Sequence, residues 1–228
     1  MKWVERISSL NFVWISVYSN RCHATLSIRR SPVHNVIIEI KARNNRHGEI
    51  RSILESHNAE FRGIDHQCDT YFIVSSGRLK LREGTIEHAL IHYARKETSG
   101  PKESDVMLYD TTPSSSLKEI LTQALGIHTI VDKQREIYYI ENVKFHLDHI
   151  HALGDFVEIE AIDRDGTIGR EKLLRQCRYY MNLFAISEDD CLATSYSDML
   201  LSISQAAVFQ ETPFSRLSSL LLSGLFLS

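Results

Sequence analysis

The chain has 228 residues, 43% hydrophobic and 24% charged, which suits one globular domain of ordinary size with extra ends. A net charge of −3 gives no global pull toward nucleic acid, so any anion-binding site must be local. Cys22, Cys68, Cys177 and Cys191 form no close pair, which disfavours a thiolate metal site or a disulfide framework, and no apolar run approaches the ~20 residues that span a bilayer.

Between Glu5 and Glu39 there is no acidic residue, while Arg6, Arg21, Arg29 and Arg30 are spread among serines. That composition has the character of an organellar transit peptide. Residues 1–34 are therefore expected to be a leader or other extension, 35–204 the domain, and 205–228 a C-terminal extension. The expected compartment is the cytoplasm, or the mitochondrion if the leader is a transit peptide.

NVIIEIKAR reads as the first strand, and HGEIRSILESH has helical spacing at Ile50, Ile53 and Leu54. TYFIVSS and GRLKLRE follow as a hairpin across Ser-Ser-Gly, then EHALIHYARKE and SDVMLYD as two more strands around TSGPK. TPSSSLKEILTQALG carries a serine cap and a closing glycine, as a helix does. TIVDKQREIYYIE, VKFHLDHI and GDFVEIEAID are strand-like, DRDG is a turn, and REKLLRQCRYYMNLFAI is a helix with a broad apolar face. Eight strands joined by short turns predict an α+β fold, with an antiparallel sheet able to close into an eight-stranded barrel and about three flanking helices.

The polar faces of these strands are unusual. Residues two apart share a face, so Glu39, Lys41 and Arg43 lie together, as do Arg78, Lys80 and Arg82. Tyr93 with Arg95, Lys133 with Arg135, and Lys144 with His146 and Asp148 repeat the pattern, and Glu158 with Glu160 is purely acidic. A single wet strand face looks much like this. The set differs because in most strands the polar face is fully charged rather than mixed with Ser, Thr and Gln, and because the middle strands are basic while the last is purely acidic at Glu158 and Glu160. Arg and Lys hold phosphate oxygens by charge-assisted hydrogen bonds, and Mg²⁺ or Mn²⁺ prefers carboxylates and water. Basic and acidic clusters facing one lumen suit a metal–triphosphate complex.

IEIKAR, CDTYF, GRLKLRE, LIHYARKE with GPKESD, VDKQREIY, HLDHIHALGDFVEIEA and SYSDMLL, in that order, resemble the CYTH superfamily of triphosphate tunnel metalloenzymes. The branch resembled is that of class IV (CyaB-type) adenylyl cyclases and their thiamine-triphosphatase relatives, and the likeness runs from about Asn35 to Leu201. It implies a barrel whose tunnel binds a small-molecule triphosphate with Mg²⁺ or Mn²⁺. The family's first-strand ExExK motif is met by Glu39 and Lys41, with Ile37 at the first glutamate position.

By this resemblance, Glu39, Asp148, Glu158 and Glu160 are the expected metal ligands. Arg78, Lys80, Arg82 and Arg95 are expected on the triphosphate, with Lys102 contacting it from the rim. Lys41, Lys133 and Arg135 take the catalytic positions. The implied activity is cyclisation or hydrolysis of a nucleoside or organic triphosphate. No nucleic-acid or membrane partner is expected, and a homodimer is compatible with the sequence.

Ile37 motivates an alternative, a non-catalytic triphosphate- or polyphosphate-binding module. A nucleic-acid barrel, with Tyr71, Phe72 and Tyr93 stacking on bases, is a third reading that the acidic last strand opposes. His146, His149 and His151 are read as strand-end and loop residues near Asp148.

Overall fold

The structure, a computed structural model, describes residues 33–95, 100–112 and 116–211. Its eight strands are β1 (Val33–Arg43), β2 (Glu60–Phe72), β3 (Arg78–Glu83), β4 (His88–Arg95), β5 (Lys102–Asp110), β6 (Ile127–Ile140), β7 (Val143–Ile150) and β8 (Gly154–Asp163). They close into an antiparallel barrel in the order β1-β5-β4-β3-β2-β6-β7-β8. Hairpin neighbours supply most of the pairing, and β1 seals the ring against both β5 and β8, with Glu39 opposite Lys102 on one side and Glu160 on the other. Closure leaves no unpaired sheet edge.

Around the barrel lie α1 (His47–Ser56), α2 (Leu117–Leu125), α3 (Arg170–Leu183) and α4 (Tyr196–Glu211). The expected barrel is present, with two differences in extent. The strand expected over 70–76 begins ten residues earlier, at Glu60, and ends at Phe72. Its early part carries Asp65, Gln67 and Asp69, all fully buried, so it shows no greasy face in sequence. The second difference is α4, a fourth helix that crosses the expected boundary at 204 and runs to Glu211. The leader expectation falls, but for residues 33 and 34, outside the described residues, as does 212–228 of the expected C-terminal extension. Among the described residues no helix is long and apolar enough to cross a membrane.

The main apolar core lies outside the barrel. Ile38, Ile40 and Ala42 of β1 turn away from the lumen and pack with Phe145, Leu147, Val157, Ile159 and Ala161 of β7 and β8. Ile50 and Leu54 of α1, and Leu173, Cys177 and Phe184 in and just after α3, cover that layer. Each fully buried aliphatic or aromatic side chain contributes about 1.5–3 kcal/mol. The opposite strand face is thereby free to carry charge.

Asp163 at the end of β8 accepts backbone N–H bonds from Gly166 and Gly169 at 2.8 and 2.9 Å, folding DRDG into the turn that leads to α3. Gly84 is required in the β3–β4 turn, since a Cβ there would lie 2.6 Å from Asp65 Oδ1 and from the Glu87 carbonyl oxygen.

Candidate active site in the barrel lumen

Alternation along the strands sends a charged set inward, arranged from one end of the barrel to the other. On β8 the inward series is Phe156, Glu158, Glu160, Ile162; on β6 it is Val131, Lys133, Arg135, Ile137, Tyr139. The Phe156 end is closed by an apolar cluster in which Tyr71, Tyr93, Val131, Ile150 and Phe156 meet Tyr196 from α4. Toward the Ile162 end opens a cavity of about 540 Å³ lined by Arg62, Glu87, Ile137, Tyr139, Ile162 and Arg164.

In the basic sector, three cations converge on one acid that the sequence reading did not single out. Asp69 accepts from Arg82 Nε at 2.9 Å and Nη2 at 3.1 Å, from Lys80 Nζ at 2.9 Å and from Lys133 Nζ at 2.7 Å. Burial works against its negative charge, but Arg82, Lys133 and Lys80 together hold Asp69 well below the usual carboxylate range. Glu87, also missed, accepts from Arg82 Nη1 at 2.9 Å and pairs with Lys144. It is delivered into the lumen by Asp65, whose carboxylate accepts the backbone N–H groups of Thr85, Ile86 and Glu87. CDTYF contains Asp69, but its partner Lys133 is 64 residues away; Glu87 sits beside a turn, with its partner Lys144 57 residues away.

The acidic sector is built on β7 and β8. Arg135 makes a bidentate pair with Asp148 at 2.6 and 2.5 Å and reaches Glu158 Oε2 at 2.6 Å. Lys41 Nζ lies 2.9 Å from Glu158 Oε1 and 3.5 Å above the Tyr196 ring. Tyr196 donates its hydroxyl to Asp148 Oδ2 at 2.9 Å, while burial and the carboxylates of Asp148 and Glu158 push that hydroxyl well above its ordinary pKa. Burial opposes the charge of Glu158, yet Lys41 and Arg135 hold it well below the ordinary carboxylate range.

Of the four expected metal ligands, Glu158 and Glu160 come together, joined by His146, with ligand atoms of all three within 4.8 Å of one another. Asp148 belongs to the Arg135–Tyr196 network, and Glu39 takes a long contact of 3.4 Å from the Ser104 hydroxyl. His146 is fully buried in the middle of β7, not at a strand end as expected, whereas His149 and His151 are exposed.

Among the expected phosphate-binding bases, Lys80 and Arg82 converge with Lys133 on Asp69. Arg78 and Lys102 serve the segment after α3 in this structure. Arg78 donates to Ser195 Oγ at 2.6 Å and Asp198 Oδ1 at 3.0 Å; Lys102 Nζ donates to the carbonyls of Leu192 and Ala193 at 2.9 and 3.1 Å. Lys102 is therefore a buried residue opening β5 and not a rim residue. Arg95 ends β4, and its side chain lies outside the described residues. Tyr71 and Tyr93, which the nucleic-acid reading would expose for stacking, are buried in the closed end.

The CYTH domain profile matches residues 35–187. This chain belongs to the CYTH domain family. Solved structures agree on the fold. The CYTH chain is similar to the PH1012 protein of Pyrococcus horikoshii at 25% identity and a TM-score of 0.60, covering 71% of this chain and 98% of that one. A conserved hypothetical protein of Pyrococcus furiosus is 20% identical, with a TM-score of 0.61 over 71% and 98% of the two chains. A candidate adenylate cyclase of Vibrio parahaemolyticus is 19% identical, with a TM-score of 0.60 over 72% and 97%. No curated protein matches the sequence. The matched stretch covers all eight strands from Asn35 onward, together with α3, but stops before Tyr196 and Asp198.

The donor chemistry of this CYTH lumen fits a divalent cation. Two carboxylates and the Nδ1 edge of an imidazole converge, with their ligand atoms all within 4.8 Å of one another.

Ile37 shares the lumen face with Glu39 and Lys41, stands opposite Ser104 and Ile162, and is only half-buried. Ile37→Glu should therefore cost no more than about 1 kcal/mol, well short of the penalty for a carboxylate sealed in an apolar core. It should also tighten Mn²⁺ binding. Thermal melts and Mn²⁺ titrations check both; a loss of several kcal/mol would place Ile37 in a packed core instead.

Proposed function

We propose that this protein is a metal-dependent enzyme that hydrolyses a small-molecule triphosphate held in the barrel lumen. The observation that carries the reading is the convergence of Lys80, Arg82 and Lys133 on one side of the lumen, with Arg135 between them and the paired Glu158 and Glu160. Phosphoryl transfer is catalysed mostly by positioning and charge stabilisation, and these are the groups it needs.

In this reading the three cations exchange Asp69 for phosphate oxygens. Arg135 stabilises charge that develops during transfer, and Lys41, held beside Glu158, orients the attacking group. Glu158 and Glu160, with Glu39 across β1, would hold Mg²⁺ or Mn²⁺, which supplies charge neutralisation and an activated water when bound. Hydrolysis asks for a held triphosphate and a water. Cyclisation asks in addition that a ribose hydroxyl be carried to the α-phosphate, and the described lumen offers mainly phosphate- and metal-type groups.

The test is an assay of the purified chain with ATP, thiamine triphosphate and tripolyphosphate, each with Mg²⁺ or Mn²⁺, following phosphate, pyrophosphate and cyclic AMP. Phosphate release is expected. Pyrophosphate with cyclic AMP would make it a cyclase. Binding without turnover of any substrate would leave only the second reading, a triphosphate-binding module, which Ile37 at the first position of the first-strand motif favours.

Burial, with Arg135 and Arg82 nearby, brings Lys133 down from 10.5 to about 7 despite Asp69. The folded chain thus sheds this proton near neutrality while the unfolded chain keeps it to about 10. Lys133 costs stability below pH 7, and the cost fades as pH rises above it. A phosphate placed against Lys133 restores its charge. Tripolyphosphate binding at pH 8 should therefore be accompanied by proton uptake at Lys133, seen by calorimetry in buffers of different ionisation enthalpy, and Lys133→Gln should reduce the uptake.

A further inference from the structure

His146 is not accounted for by the roles above. It is fully buried at the middle of β7 and faces the lumen opposite Glu158 in the β7–β8 register. Its Nδ1 lies 3.2 Å from Glu158 Oε2 and 3.7 Å from Glu160 Oε1, and its Nε2 has no partner among the described residues. A histidine retained for packing would have both ring nitrogens satisfied, as buried polar atoms nearly always are. Nδ1 is the ring nitrogen that faces both carboxylates, so it is the atom that would share a cation with them; Nε2 lies on the far edge of the ring and takes no part in that site.

The spacing has a second meaning. In an octahedral shell with bonds of about 2.1 Å, adjacent donor atoms lie about 3 Å apart. His146 Nδ1 is close to that separation from Glu158 Oε2 and Glu160 Oε1, at 3.2 and 3.7 Å, and the three ligand atoms all lie within 4.8 Å of one another.

We propose that His146 is a nitrogen ligand of the lumen metal site and that it biases the site toward a first-row transition divalent cation over Mg²⁺. The proposal rests on the reading of Glu158 and Glu160 as metal-binding. Carboxylate and water shells suit Mg²⁺, whereas imidazole suits transition ions, whose affinity for mixed nitrogen and oxygen donors rises along the first row from Mn²⁺. His146 also gives this chain a third donor on β7 and β8, where the first strand carries Ile37 in place of a carboxylate.

Mn²⁺ is the probe, used with the full chain in the presence and absence of tripolyphosphate. Electron paramagnetic resonance counts bound ion, and electron spin-echo envelope modulation detects nitrogen bonded to it. The expected wild-type spectrum contains ¹⁴N modulation that changes on labelling with ¹⁵N-histidine. It should vanish in His146→Gln and persist in His149→Gln and His151→Gln, both at exposed positions. Mn²⁺ affinity should fall tenfold or more in His146→Gln, while Mg²⁺ affinity, read by competition, changes less than about threefold. His146→Asn serves as a second variant, with circular dichroism reporting the fold of each.

Mn²⁺ bound without histidine modulation in the wild type would overturn the nitrogen ligand and leave the triphosphate reading standing. Equal losses of Mg²⁺ and Mn²⁺ in folded variants would overturn the metal bias. No Mn²⁺ binding under either condition would remove this proposal and the metal-dependent reading together.

Discussion

Asp69→Asn is expected to destabilise the ligand-free protein by about 3–5 kcal/mol, because it strands buried Arg82 and Lys133, and the partly buried Lys80, without their common counter-charge. In a chain of this size that is a fall in melting midpoint on the order of 10 °C. Tripolyphosphate should recover much of it. A ligand that binds only the folded state adds about 2.7 kcal/mol at a hundred times its dissociation constant. With Asp69 neutral, the three cations no longer have to leave an internal acid before meeting phosphate, so the variant's affinity should rise as its stability falls. Melting curves with and without tripolyphosphate measure both effects. Lower stability without tighter anion binding would mean that these cations serve the fold alone.

The second large effect separates two glutamates that look equivalent in the sequence. Glu160→Gln should leave the melting midpoint nearly unchanged and reduce metal-dependent turnover at least a hundredfold, about 2.7 kcal/mol of transition-state stabilisation. Glu158→Gln should reduce turnover as much and also destabilise by several kcal/mol, since Glu158 balances Arg135 and Lys41 in the buried network. From FVEIEAI alone both variants would be expected to fold normally, their charges answering to ligand. The geometry assigns that behaviour to Glu160 only. Equal stability losses in both variants would instead mark Glu160 as a structural member of the network.

The period-2 alternation of IEIKAR, RLKLRE and FVEIE made the strands and their charged faces legible in advance, since it is a local property of the chain. Closure into a ring was legible through the family likeness and through the number of hairpins. What stayed hidden depends on partners far apart in sequence. Asp69 meets Lys133 across 64 positions. It lies in a stretch whose lumen residues Asp65, Gln67 and Asp69 alternate with Ile64 and His66, a pattern that reads as loop. Tyr196 was visible within SYSDMLL, but its contacts with Lys41 and Asp148 exist only once α4 is laid over the barrel end. His146 looked peripheral because HLDHIH resembles a loop-flanking run, whereas its burial follows from the pairing of β7 with β8.

The placement of cohesion on the outside of the barrel has an evolutionary consequence. Ile38, Ile40 and Phe145 hold β1 and β7 to the helices without touching the lumen chemistry. Lumen positions outside the buried ion-pair network, such as Ile37 and Glu160, can therefore change one residue at a time while the outer layer keeps the scaffold intact. A lineage built this way can wander among related substrates and metals without first having to reinvent its architecture.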